Sequence, residues 1–338
     1  MRPPAVALLI VAAACRQPAP ADTPDASEHP GADAQLQDFC SATDPRTQVV
    51  TIDPTPEAGE APYVAALMPA QTSISVEIYE MGYGAILDAL KAKASAGVSV
   101  RVIFDTAQQS VNQKYYDQLA AAGAQVKWSD PKFTYQHAKF FVVDGQTAVV
   151  STGNFSKTYS IDLERNFVAT DRDPADVLDL VTLFEADWAG VDPAMPCTRM
   201  VIAPINSRQR VLDVITGATQ TLTIESMQFA DAAIRAAVSN RIAAGVAVRV
   251  MIADAGWVTA NASAATYLKS LGVTPKWIPH LHTKAMVADG VRAYVGSENL
   301  SSTSLDHNRE VGVVLTDPSS IAPLVATFDK DYAIGTDF

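Results

Sequence analysis

Between residues 71 and 171 the apolar positions fall into short β-branched runs and longer helical stretches, and the same succession returns between 220 and 317. Gln71 to Tyr79 (QTSISVEIY) resembles Gln220 to Gln228 (QTLTIESMQ), with Glu77 and Glu225 falling out of register. A helical stretch from Ile86 to Ala96 has its counterpart in Ile234 to Ala244. Each meets a glycine and a valine-rich run, Gly97 to Asp105 (GVSVRVIFD) or Gly245 to Asp254 (GVAVRVMIAD). A second helical stretch stops at Gly123 before AQVKW, or at Gly272 before VTPKW. Two more strands follow, the second leading into an Asn-bearing turn. Helices ending at glycine and Val/Ile-rich strands predict an α/β fold of two similar units, each a mostly parallel sheet flanked by helices. The expected boundaries are 45–190 for the first unit, 191–200 for a linker and 201–338 for the second unit.

The N-terminus reads differently. Met1-Arg2, an apolar stretch from Ala5 to Ala14 and then Cys15 resemble an export signal over residues 1–14, too short to span a bilayer. Small residues before Cys15 resemble a bacterial lipoprotein signal, which makes Cys15 the expected lipid-anchor site and the protein an exported, membrane-anchored one, or otherwise a secreted one. The region 15–44 is expected to be that anchor plus a flexible tether, since residues 16–36 are rich in Pro, Ala, Asp and Gln and lack aromatics. With Cys15 used, Cys40 and Cys197 form an even pair in an oxidising compartment and are expected to be bridged. The chain of 338 residues is 48% hydrophobic and carries −12. Residues 1–36 hold two arginines and four acids, so the remainder carries −10, a background that does not draw nucleic acid by its overall field.

The reactive residues repeat with the fold. His137-Ala138-Lys139 is followed by Asp144, and His282-Thr283-Lys284 by Asp289. Thr152 and Asn154 trail the first set; Ser297 and Asn299 trail the second. Strand alternation puts His137 with Lys139, and His282 with Lys284, on one face, while Asp144 and Asp289 point to the other. Each Asp is therefore badly placed to orient its own histidine and suits a strand-end role or a contact between the units. Aligning Thr170-Asp171 with Thr316-Asp317 puts Glu164 opposite Glu310, and these are the expected histidine-orienting carboxylates.

The paired H-x-K-x4-D segments, with a G-S-x-N-like turn and a later Glu in each unit, resemble the phospholipase D superfamily. Gly296-Ser297-Glu298-Asn299 matches the family turn, whereas Ser151-Thr152-Gly153-Asn154 moves the glycine. The resemblance implies two units about a pseudo-twofold axis, with the His-Lys-Asp sets (His137, Lys139, Asp144; His282, Lys284, Asp289) as the catalytic motif. It implies His137 as nucleophile, forming a phosphohistidine, and His282 as general acid/base. Lys139, Lys284, Asn154 and Asn299 would hold the phosphoryl oxygens, with Thr152 and Ser297 as further donors. No metal and no cofactor are implied, and one chain completes the site as a monomer.

The expected substrate is a phospholipid, whose headgroup is hydrolysed or transferred at a membrane surface. An exported nuclease is the alternative, and it requires Lys132, Lys157, Arg165 and Arg309 to gather into a basic groove. A phosphatidyltransferase resembling cardiolipin synthases is disfavoured by the lack of transmembrane segments after the leader. A phosphate-binding descendant without turnover is the remaining reading. His280 and His307 lie near the second motif and are expected to be ordinary loop residues.

Overall fold

The computed structural model describes residues 40–338; the expected leader, Cys15 and most of the tether lie outside the described residues. The first unit runs β1 (Thr51–Thr55), α1 (Ala61–Leu67), β2 (Ser73–Ile78), α2 (Ala85–Ser95), β3 (Ser99–Phe104), α3 (Gln109–Ala121), β4 (Gln125–Trp128), β5 (Lys139–Val143), β6 (Thr147–Ser151), β7 (Asn166–Asp171) and α4 (Pro174–Ala189). The second runs β8 (Met200–Ala203), α5 (Ser207–Thr216), β9 (Thr221–Ser226), α6 (Ala232–Ala243), β10 (Ala247–Ile252), α7 (Ala260–Ser270), β11 (Lys276–Trp277), β12 (Lys284–Ala288), β13 (Arg292–Gly296), β14 (Glu310–Leu315), α8 (Pro318–Ile334) and β15 (Thr336–Asp337).

The sheets are ordered β1-β7-β6-β5-β2-β3-β4 and β15-β11-β10-β9-β12-β13-β14-β8. The parallel part is narrower than the α/β pattern suggested. It comprises β2-β3-β4 and β9-β10-β11, where helices make the crossovers. The motif strands β5 and β12 join antiparallel, because tight Asp-Gly hairpins return the chain as β6 and β13. Asp144 and Asp289 take φ values of 53° and 54°, and Gly145 and Gly290 take 61° and 68°, the left-handed central pair of a tight turn closed by Gln146 N on Val143 O (2.9 Å) and by Val291 N on Ala288 O (3.1 Å).

Period-two alternation builds the layers. Ala138, Phe140 and Val142 face a central core shared with Ala285, Val287, Val295 and Val313 of the other sheet. Phe141 and Val143 face the outer helices of unit one, and Met286 and Ala288 those of unit two. Helices α4 and α8 contribute Leu180, Phe184, Ile321 and Leu324 to that central core, so the units are joined by common hydrophobic packing. Phe140 and Phe167 are fully buried there, and truncating such a residue costs ~3–5 kcal/mol.

Sheet register corrects the sequence alignment twice. Ser73 and Thr221 open equivalent strands, which brings the buried Glu77 and Glu225 into register. At the other end Asp173 and Asp317 each cap a helix beginning with proline, accepting from Ala175 N and Ser319 N. The counterpart of Asp317 is thus Asp173 and not Asp171. This places Arg165 opposite Arg309, Asn166 opposite Glu310, and Glu164 opposite Asn308.

Cys40 and Cys197 are joined in a disulfide with Cα atoms 4.9 Å apart, tying the start of the described chain to the segment between units. No helix among the described residues is long and apolar enough to cross a membrane.

Candidate active site

Each motif histidine is positioned by the opposite unit. The backbone N of His137 donates to Arg309 O (2.9 Å), and that of Arg309 to Tyr135 O (2.9 Å). The counterpart bridge runs from His282 N to Arg165 O (3.2 Å) and from Arg165 N to His280 O (3.0 Å). The loop around Phe133 and Tyr135 is therefore part of the inter-unit seam. Both arginines are buried and held by acids. Arg309 donates to Asp187 at 2.7 and 2.9 Å and to Ala203 O; Arg165 donates to Asp331 at 2.5 and 3.1 Å, to Thr55 O and to Glu57. Pairing with buried carboxylates holds each guanidinium where an unpaired charge would be very costly.

This bridging sets the residue beside each arginine against the opposite histidine. His137 Nδ1 lies 2.8 Å from Glu310 Oε2. Glu310 is braced through Oε1 by Ser304 Oγ (2.5 Å) and Asn308 Nδ2 (2.9 Å). At the other histidine, Nδ1 lies 2.9 Å from Asn166 Oδ1 and 3.7 Å from Glu164. The expectation that Glu164 orients a histidine directly is thus corrected: Asn166 makes the contact and Glu164 stands behind it. The Asp-Pro helix start was the signal that finds Asn166, because it fixes the register the Thr-Asp pair misread.

Lys139 Nζ donates to its own His137 O at 2.5 Å, and Lys284 Nζ to its own His282 O at 2.6 Å. Lys284 Nζ also lies 3.1 Å from His282 Nδ1. All four groups are withdrawn from solvent. Burial, opposed by Glu310, takes His137 down to about 4; burial, then Lys284 and Lys139, takes His282 well below its ordinary range. Charge on His137 also acts on His282, which places both rings in one electrostatic site. Burial lowers Lys139 to about 8 against the pull of Glu310 and Glu80.

The remaining expected residues separate into two groups. Asn154 and Asn299 are half-buried, and the Oδ1 of each has no hydrogen-bond partner; Asn154 Nδ2 reaches Glu80 at 3.4 Å. Thr152 and Ser297, expected as phosphate donors, are fully buried and accept from Phe167 N (2.9 Å) and Val311 N (3.0 Å), and Thr152 also donates to Asn166 Oδ1. Their hydroxyls hold β7 and β14 in place instead of facing a ligand. Asp144 and Asp289 sit outside the site and make no contact between units. Asp144 accepts from the backbone N of Gln71, Thr72 and Ser73, and Asp289 from Thr219, Gln220 and Thr221. Both therefore cap the strand start beside their hairpin.

Two aromatics escaped the sequence reading. The Tyr79 ring meets His137 edge-on at 4.6 Å and lies 5.0 Å from Lys139 Nζ. Trp257, 43% exposed, stacks near His282 at 6.2 Å. They occupy the loop ends after β2 and β10, where neither carries a repeated motif. His280 and His307 are exposed and join the seam through their carbonyls. Among the described residues, no group of three or more His, Cys, Asp or Glu side chains is arranged to hold a metal ion.

Two crossed histidine-lysine sets, joined by a duplicated α/β fold, define a protein of the phospholipase D superfamily. The family described as "Cardiolipin synthase, PLD-like domain" matches residues 63–188 and 211–332, and the chain belongs to it. It is 26% identical over 321 residues to the probable cardiolipin synthase YwiE of Bacillus subtilis, covering 79% of this chain and 62% of that protein. A cardiolipin synthase of Clostridium perfringens is 24% identical over 305 residues, covering 74% of this chain and 62% of the other. The chain thus spans about three-fifths of the length of these curated relatives. In fold it is similar to the phosphatidylserine synthase of Haemophilus influenzae, with a TM-score of 0.70, 12% identity and 88% of each chain covered. A polyphosphate kinase from Porphyromonas gingivalis shares the fold at a TM-score of 0.68 and 16% identity, over 91% of this chain and 51% of that one.

Proposed function

We propose that the protein is a phospholipase D-type phosphodiesterase that moves the phosphatidyl group of a phospholipid to an alcohol acceptor or to water. The observation that carries this reading is the crossed contact of His137 with Glu310 and of His282 with Asn166, which draws both H-x-K sets into one site. His137 Nδ1–H donates to the Glu310 carboxylate, leaving the Nε2 lone pair free to attack phosphorus. As the N–P bond forms, the P–O bond to the leaving alcohol breaks, and His282, which takes a proton from solvent on Nε2 when the anionic substrate binds, passes that proton to the alcohol. His282 then takes a proton from water or an acceptor alcohol, whose oxygen displaces His137 from phosphorus. Lys139, Lys284, Asn154 and Asn299 hold the phosphoryl oxygens during both displacements.

Similarity to cardiolipin synthases supports transfer more than degradation, and brings back the phosphatidyltransferase reading that the sequence alone disfavoured. The four basic residues that a nuclease groove would need each have an acid partner, which favours the lipid reading. Arg165 and Arg309 are committed to buried acids, Lys132 pairs with Asp192 at 3.1 Å, and Lys157 pairs with Asp162. An export leader with lipidation at Cys15 would hold the reaction at a membrane surface.

The test incubates the protein with phosphatidylglycerol or phosphatidylethanolamine vesicles, with and without an alcohol acceptor, and in parallel with supercoiled plasmid in chelator. Headgroup release or exchange without nicking is the expected result. Nicking without lipid turnover would overturn the lipid assignment, and neither activity would leave a phosphate-binding protein.

A further inference from the structure

The repeats are symmetric in everything that positions the histidines except the group that touches the ring. Copy two reads Asn308-Arg309-Glu310 where copy one reads Glu164-Arg165-Asn166: amide and carboxylate have exchanged places about the shared arginine. We propose that Asn166 is the positioning residue of His282, and that this exchange fixes His282 as a neutral Nδ1–H imidazole hydrogen-bonded to an amide, with the Glu164 carboxylate held back at 3.7 Å, in contrast to His137. The proposal deepens the phosphodiesterase reading above and rests on it for the roles of the two rings.

The hydrogen-bond network favours one arrangement: Lys284 Nζ lies 3.1 Å from His282 Nδ1 but has the carbonyls of His282 (2.6 Å) and Thr152 (3.3 Å) to donate to, which leaves Nδ1 to Asn166. Asn166 Nδ2 lies 3.3 Å from both Glu164 Oε2 and Ser160 Oγ, and Ser160 Oγ donates to Glu164 at 2.6 Å. The amide end facing a carboxylate must be the NH2 end, so Oδ1 is the end that meets His282. Thr152 Oγ1 donates to the same Oδ1 from 2.9 Å, which confirms its acceptor role. An amide oxygen accepts only, so His282 Nδ1 carries the proton and Nε2 is left with the lone pair.

The consequence is electrostatic. The groups facing His282 are Lys284 on its own strand, Lys139 and His137 from β5 and the residues before it, and Glu164 3.7 Å away behind the amide. A neutral amide adds no charge to offset the two lysines. His282 is thereby the more acidic of the two rings, suited to surrender a proton that anionic substrate helps it acquire. His137, against the Glu310 carboxylate, is suited to accumulate positive charge as it takes up the phosphoryl group.

The test moves one charge without changing shape. In the double variant Glu164→Gln/Asn166→Asp the carboxylate touches His282 and the amide stands behind it, as at Glu310. Nitrogen-15 NMR of the histidine rings, assigned with His137→Asn and His282→Asn, reads tautomer and titration with no substrate present. Wild-type His282 is expected as the Nδ1–H tautomer. In the double variant its titration rises by about one pH unit or more while that of His137 stays in place. The alkaline limb of kcat for lipid turnover should rise with it, a shift that a merely structural role for Asn166 would not cause. In Asn166→Ala, which removes the acceptor outright, the Nδ1–H preference should disappear. An Nε2–H tautomer in the wild type, an unmoved His282 titration in a folded double variant, or an unchanged tautomer in Asn166→Ala would each overturn the proposal. Because the ring spectra need no turnover, failure of the lipid reading would show separately, as absent activity with the tautomers as expected.

Discussion

The two halves of this molecule solve the same positioning problem with the same parts, and differ where the chemistry divides. Both use an Asp-Gly hairpin capped by the motif Asp, a buried arginine salted to the last helix, and a serine on a short wide turn bracing a glutamate. Yet one half presents Glu310 to its neighbour's histidine and the other presents Asn166. Duplication supplies the symmetric frame, and exchange of two side chains about one arginine makes the two histidines unequal. A duplicated site can thus acquire separate nucleophile and acid roles without disturbing the scaffold that holds them.

The largest effect should come from removing either ring. His137→Ala and His282→Ala should each lower phospholipid turnover by at least ~10³-fold, measured as headgroup release, because the rings act as a unit. The comparison sharpens with a substrate whose leaving group needs no proton: His282→Ala should regain activity there and His137→Ala should not. Equal recovery by both would erase the distinction between the halves.

Next in size are the arginine clamps. Arg309→Leu strands Asp187, and Arg165→Leu strands Asp331, so each should cost ~3–5 kcal/mol in denaturant unfolding. A negligible loss for either would mean that the seam is not held as the symmetric contacts suggest.

The hairpin caps should show the symmetry most plainly. Asp144 and Asp289 are both lowered to about 2, their backbone and Thr hydroxyl hydrogen bonds outweighing burial. A depressed carboxylate contributes stability that is present above its ordinary pKa and lost as pH falls toward the folded value. Asp144→Asn and Asp289→Asn should therefore lower the thermal midpoint by similar amounts at pH 7, a gap that narrows as the pH falls from about 4 to about 2. Solvent exposure keeps the effect to ~1 kcal/mol or less.

The smallest expected effect concerns a mismatch between the halves. Gln136 donates to Glu77, whereas the position equivalent to Gln136 is Leu281, and Glu225 is raised to about 8 by burial and then by Asp331. The folded protein keeps a proton on Glu225 that the unfolded chain releases, so this group costs stability as pH climbs from about 4.5 to about 8. Glu225→Gln should gain thermal midpoint relative to the wild type across that window, and a constant offset would refute the protonated state.

Much of this was legible before any coordinates. The hydrophobic periods marked both units, the doubled H-x-K segments marked the site, and strand parity removed Asp144 and Asp289 from their own histidines. Glu310 was found as well, but Asn166 was not, because the Thr-Asp pairs invited an alignment two residues out of step. Only strand pairing, or the matched Asp173-Pro174 and Asp317-Pro318 helix starts, sets it right. Thr152 and Ser297 were misread because a hydroxyl in a motif turn can face a ligand or its own backbone, and spacing does not distinguish these. Tyr79 and Trp257 were invisible, since their closeness to the histidines arises from strand order in the sheets and not from any repeat.

The central claim is that the two halves build one site with unequal histidines, and trapping the covalent intermediate tests it most directly. Rapid quench of the protein during turnover of a short-chain phospholipid, followed by mass spectrometry under alkaline conditions, should find the phosphoryl adduct on the His137 peptide. The adduct should be absent in His137→Ala. An adduct on His282, or turnover with no histidine adduct at all, would contradict the account.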